Sequence, residues 1–300
     1  MSGVLTRGAS NHGGFFSASA ESDAIHENAR AAMADLFGCS PDEIAFGQNM
    51  TSMTFALSRA LSRDWSANDE VVVTRLDHDA NVSPWVLAAR DSGATIRFVD
   101  INVEDATLDM ASLEKAVGPR TKLVAVPAAS NAVGTLVDVA RVAEIAHSVG
   151  ALVFVDAVHY TPHGPIDVRA FNCDFLVASA YKFFGPHTGV LFGKHEHLTQ
   201  IDAYRLRPAP SEAPGKWETG TQSFESLAGV TAAVDYLAAI GASINETPVG
   251  SRRGEILTAM AATRQYEQML SKRFLEGAAT IPSIRVYGVT TGDPLQRTPT

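Results

Sequence analysis

Apolar positions along the chain switch between two periods. Over residues 22–37 they recur at helical spacing (Ile25, Ala29, Ala32, Met33, Leu36), and Gly38 follows as a C-terminal stop. Residues 44–47 form a short apolar run that leads through a polar turn, 48–52, into a helical pattern ending at Leu61. The alternation then repeats. Strand patterns at 71–74, 94–99, 123–127, 151–155, 175–178 and 190–192 are interleaved with helical patterns at 83–89, 110–117 and 137–149. Runs of Val, Leu and Ile separated by helices predict β-α-β units and a largely parallel sheet buried on both faces, an α/β fold. Residues 1–20, rich in Gly, Ser, Ala and Asn, read as a lead-in loop. After the last of these strands come a Pro-rich loop (208–215), helices at 223–240 and 251–275, and a strand at 283–287. The expected division is a large domain over 1–245, then a connecting helix and the start of a small C-terminal domain over 246–300.

Bulk properties narrow the partners. A chain of 300 residues, 46% hydrophobic, can bury a large core, and a net charge of −9 disfavours nucleic acid or an anionic membrane surface. Cys39 and Cys173 show no paired metal-type spacing, so a disulfide scaffold is not expected and a reducing compartment fits. No apolar run reads as long enough to span a bilayer, and the first residues lack a signal-peptide core; the expectation is a cytoplasmic protein.

In parallel sheets ligands sit at the carboxyl ends of strands. Those ends carry Asp77, His78, Asp79 and Asn81; then Ser130 and Asn131; then Asp156 and His159; then Ser179, Tyr181 and Lys182. Turns also select Asp, Asn and Ser for backbone reasons. Alone, Lys182 reads as a surface lysine in a tight turn, and its convergence with three other strand ends points instead to a shared site. If Phe183 and Phe184 bury it, desolvation lowers its pKa and favours the free amine. The helix start at Met50–Thr51 offers an anion site, although N-capping alone also explains its hydroxyls. Pyridoxal 5′-phosphate (PLP) would use all of these groups: Lys182 for its aldehyde, Asp156 for its ring nitrogen, the helix N-terminus for its phosphate, and His78 against the ring or as a proton shuttle. A metal at His159/His163 or His195/His197 is not expected: Pro162, Gly164 and Pro165 break any helix there and no third ligand is near. A dinucleotide site fails for want of a Gly-x-Gly-x-x-Gly turn.

The chain resembles the class V aminotransferases, in their cysteine-desulfurase-like branch of fold-type-I PLP enzymes. The matching segments are Thr51 with its neighbours, 77–85, 130–135, Val155-Asp156, Ser179-Ala-Tyr-Lys182 with Gly185-Pro186, and 218–221, in family order over about residues 40–225. The resemblance implies a three-layer αβα domain around a mostly parallel seven-stranded sheet. It implies an internal aldimine on Lys182, Asp156 on the pyridine nitrogen, His78 on the ring face, and Asn131 near the ring hydroxyl. It places Met50 (backbone N–H), Thr51, Ser179 and Tyr181 around the phosphate, with Thr221 reaching the phosphate of a partner subunit in a homodimer. The implied activity is transferase or lyase chemistry at the α carbon of an amino acid; the alternative is a PLP-binding or dimerising scaffold with little or no turnover. Tyr181 stands where desulfurases have His, Asp79 replaces a second His, and His159 stands where Gln is usual beside the ring hydroxyl, so that its protonation would tune the aldimine. Neither cysteine matches the persulfide position, and Cys173 is expected in the core. The family's opening segment and most of its small C-terminal domain, which supplies the substrate-carboxylate arginine, find no counterpart in these residues.

Overall fold

The computed structural model describes residues 1–8, 10–245, 250–290 and 296–300. The elements in order are α1 (Ser2–Arg7), α2 (Ser17–Phe37), β1 (Ile44–Gly47), α3 (Met50–Leu61), β2 (Glu70–Thr74), α4 (Ser83–Ser92), β3 (Thr95–Val99), α5 (Met110–Ala116) and β4 (Thr121–Pro127). They continue with α6 (Val139–His147), β5 (Leu152–Asp156), α7 (Val168–Phe171), β6 (Phe175–Ser179), β7 (Gly189–Gly193), α8 (His195–Gln200), α9 (Phe224–Ile244) and α10 (Arg252–Ala279).

The strands make one seven-stranded sheet in the order β1-β7-β6-β5-β4-β2-β3. β2 through β6 pair in parallel, while β7 runs antiparallel to both β6 and β1. Alternate strand residues face two separate cores. On one side Val72, Val124, Val153, Leu176 and Val190 pack with α2, α6 and α9; on the other, Val71, Leu123, Phe154, Val177 and Leu191 pack with α3 and α4. A parallel sheet with helices on both faces buries its central strands on both sides, which explains their unbroken apolar runs, whereas the edge strand β3 leaves Thr95, Arg97 and Phe98 exposed. Cys173 lies in the first core and is fully buried, as expected.

Three expectations are corrected. The lead-in is not a loop throughout: Ser2–Arg7 is helical and buries Val4. Residues 283–287 are irregular and mostly exposed rather than a strand, because no described strand edge lies alongside to take their backbone hydrogen bonds. Finally, α9 is 21 residues long with a mean hydropathy of 1.6, enough by length and composition to cross a bilayer, a run that the sequence pattern left uncounted. It lies against α2 and α10, and Gly241 admits the Glu255 backbone where any Cβ would collide.

α10 begins on the large layer. Arg253 donates to the Leu36 and Ile166 carbonyls at 2.7 Å each. Further along, Tyr266, Met269, Leu270 and Phe274 are exposed. The expected domain boundary at 245/246 abuts residues 246–249, which lie outside the described residues.

Candidate active site

The four predicted strand ends converge. Asp156 is the last residue of β5, in register with Pro127 of β4 on one side and Val177 of β6 on the other. It is 7% exposed, and its Oδ1 accepts from the Val158 amide at 2.8 Å. Burial pushes its carboxyl up to about 6, against the Val158 amide, His78 and Lys182, which pull it down. His78 and Lys182, from the ends of β2 and β6, thus share the electrostatic environment of one carboxylate.

The anion end lies at α3. Asn49 caps this helix, its Oδ1 accepting from Ser52 N at 2.9 Å, and the Met50 amide donates to Ser179 Oγ at 3.2 Å. The helix approaches so closely because Gly189 on β7 has no side chain: a Cβ there would run into the Asn49 backbone. Free N–H groups and the helix dipole at this end favour a phosphate. Thr51 is partly buried beside Met50.

The expected burial of Lys182 is not found. Lys182 is exposed, as are Tyr181 and Phe184; only Phe183 turns into the core. The desolvation expected from two flanking rings is absent because the turn at 180–183 points them to opposite sides, and Lys182 Nζ lies over the Tyr181 ring at 5.6 Å. Tyr181 in turn stacks on His187 at 4.9 Å. His78 is exposed and its Nδ1 accepts from the Ala80 amide at 3.1 Å, which leaves Nε2 open. Asn131 is exposed on the turn after β4. Asp79 accepts from Ser83 Oγ at 2.9 Å and fastens the start of α4.

His159 is pushed down to about 4, first by burial and then by His163 and Lys182. It is therefore neutral at neutral pH, and its protonation is not a variable of the site there. Its Nε2 lies 3.0 Å from Thr298 Oγ1, and its ring is 5.0 Å from that of His163. Among the described residues no group of three or more His, Cys, Asp or Glu side chains could hold a metal. Thr221 is exposed and lines a cavity of about 460 Å³ with Gln48 and Ser52.

Two arrangements escaped the sequence reading. Glu218, 8% exposed, accepts from the Phe46 amide at 3.0 Å and from Arg30 at 2.9 Å, and so ties the 217–221 segment to β1 and α2. The second is a hydrogen-bonded chain from Thr74 through the half-buried Asp77 and the buried Asn81 to Trp85. A Thr–Asp–Asn–Trp spacing of 3, 4 and 4 across a strand end and a helix start was the signal available for it.

The residues suit PLP on the chemistry of the donor set: an amine, a buried carboxylate at one end, and helix N–H groups with a serine hydroxyl at the other. The sequence profile of the aminotransferase class V family matches residues 4–298. The chain belongs to that family. Its members are PLP-dependent. The chain is 30% identical to a cysteine desulfurase of Dickeya dadantii over 92% of its own length and 66% of that protein. It is 31% identical to the aminotransferase-like protein FGM3 of Gibberella zeae, over 96% of this chain and 68% of that one. The fold matches the apo cysteine desulfurase of Thermococcus onnurineus NA1 with a TM-score of 0.83 at 24% identity, covering 95% of this chain and 69% of that one. The cysteine desulfurase CsdA of Escherichia coli gives 0.74 at 25% identity, covering 91% and 67%. The chain thus spans about two thirds of the length of the curated relatives it matches.

Proposed function

We propose that this class V aminotransferase binds PLP through Lys182 and acts at the α carbon of an amino acid, as a transferase or lyase of the cysteine-desulfurase-like kind. The observation that carries the reading is the buried Asp156 carboxylate with Lys182 and His78 acting on it, one strand away from the α3 N-terminus. When bound, the cofactor supplies an electron sink for the pair left at the substrate α carbon. Asp156 Oδ1 is taken by the Val158 amide, which leaves Oδ2 as the atom that would pair with the cofactor's ring nitrogen and keep it protonated. His78 covers the ring face, with Nε2 directed outward. Asn131 and the neutral His159 would flank the cofactor's ring hydroxyl. The Met50 amide, Thr51, Ser179 and Tyr181 hold the phosphate, and Lys182 Nζ is the base that takes and returns a proton. Thr221 reaches the phosphate bound to a second copy.

The thiols are not placed for sulfur transfer. Burial, with the charge of Glu43 adding to it, holds the Cys39 thiol well above its usual range; burial and Asp174 do the same to Cys173. A screen of amino acids against the PLP-loaded protein tests the reading. A change of the visible spectrum with at least one amino acid, and little sulfide released from cysteine, is expected. A cofactor band that no amino acid perturbs would leave a binding scaffold, and robust sulfide release would overturn the assignment of the thiols.

A further inference from the structure

Asp77 is unused by the proposed function, yet both of its carboxyl oxygens are hydrogen-bonded, whereas His78 beside it is held through Nδ1 alone. Thr74 Oγ1 lies 2.6 Å from Asp77 Oδ2, and Asn81 Nδ2 donates to Asp77 Oδ1 at 2.7 Å. Asn81 Oδ1 then accepts from Trp85 Nε1 at 3.1 Å, and both Asn81 and Trp85 are 0% exposed. Thr74 ends β2 and Asn81 ends the turn before α4, so one carboxyl closes the 74–81 loop on itself with His78 inside it. Trp85 packs edge-on against Phe154 at 4.9 Å, two residues before Asp156 on β5. The network therefore runs from the loop of His78 to the strand of Asp156.

We propose that Asp77 is a positioning residue of the cofactor site, bridging Thr74 and Asn81 so that His78 is held in place over the Asp156 carboxylate. The proposal rests on the reading that Lys182 takes PLP. A plain turn explains either hydrogen bond alone. It does not explain a second carboxyl beside Asp156, since an ionised one there is unfavourable unless paired, and among the described residues no cation bonds to Asp77. The groups facing it are Thr74, Asn81 and Asp156. Burial raises the Asp77 carboxyl well above the carboxylate range, Asp156 raises it further, and the bonds from Thr74 and Asn81 only partly oppose this. Thr74 Oγ1 donates to Asp77 Oδ2 and itself accepts from the Leu76 amide at 3.2 Å, while Oδ1 accepts from Asn81. An asparagine keeps a partner for each group, its oxygen accepting from Asn81 and its amide donating to the Thr74 hydroxyl; an alanine keeps neither.

The test uses the full chain loaded with PLP, following cofactor release after dilution and the pH midpoint of the visible band, neither of which depends on turnover. Asp77→Asn is expected to stay within about twofold of wild type, and Asp77→Ala to release cofactor about tenfold faster with a displaced midpoint, because a buried donor is left unsatisfied. Thr74→Val, which keeps the shape and removes the hydroxyl, is expected to shift both in the same direction and serves if Asp77→Ala does not fold. Wild-type release and midpoint in Asp77→Ala or Thr74→Val, or equal damage in Asp77→Asn and Asp77→Ala, would overturn the proposal. A wild-type chain that takes up no cofactor would sink both this and the functional reading, whereas uptake with unaltered variants would sink this one alone.

Discussion

Asp156 illustrates at the level of one side chain how the site is built against stability. A carboxyl releases its proton near 3.9 in an unfolded chain, whereas burial holds that of Asp156 to about 6 in the fold. Between those values the folded state keeps a proton that the unfolded state has lost, so stability falls as pH rises through the window and the penalty is complete above it. A shift of this size corresponds to about 3 kcal/mol as an upper limit. Asp156→Asn keeps the acceptor for the Val158 amide and removes the charge. The cofactor-free variant is therefore expected to melt a few degrees above wild type at pH 7.5, with the gain vanishing toward pH 4. Equal melting temperatures at pH 7.5, or a gain that persists at pH 4, would contradict this origin of the raised pKa. Asp156, Lys182 and His78 were legible as chemistry because each follows an apolar run at a strand end. The exposure of Lys182 was not legible: the sequence shows Phe183 and Phe184 side by side, and only the turn at 180–183 sends one inward and the other out. Asp77 was quoted within a matching segment, but its tie to Thr74 depends on a loop closure that spacing alone does not fix.

At the level of elements, the anion end depends on how β7 meets α3. β7 runs antiparallel between β6 and β1, and Gly189 pairs with Ser179 on one side and Gly47 on the other. This puts a residue without a Cβ against the first turn of α3, so the Met50 amide can reach Ser179 Oγ. Gly189→Ala would drive the Asn49 backbone away from the sheet. The expected result is a stability loss of about 1–3 kcal/mol, the usual range for overpacking, together with weaker PLP uptake, measured by thermal melts with and without cofactor. Unchanged melting and uptake would show that the close approach is not required. The strands and most helices could be read from the chain because burial on both faces leaves unbroken apolar runs. The strand expected at 283–287 failed for the converse reason, since alternation describes a strand's faces and not whether an edge is there to pair with it.

Across the whole molecule, seven strands and two helical layers place the strand ends on one rim, and the remaining question of scale is how many copies make a site. We propose a homodimer. Phe184 and Tyr236 are exposed with rings 5.5 Å apart, close in sequence to Lys182 and on α9 respectively, and Thr221 stands exposed at a cavity shared with Gln48. Sedimentation at micromolar concentration is expected to return about twice the 31.9 kDa chain mass, and a monomer under those conditions would contradict the shared phosphate site. The central claim lies at Lys182. Borohydride reduction of the PLP-loaded full chain, followed by peptide mass spectrometry, reports which amine holds the cofactor. The expected result is label on the peptide containing Lys182, and its loss together with the visible band in Lys182→Ala. Label on Lys194 or Lys216 instead, or a band that survives in Lys182→Ala, would contradict the account.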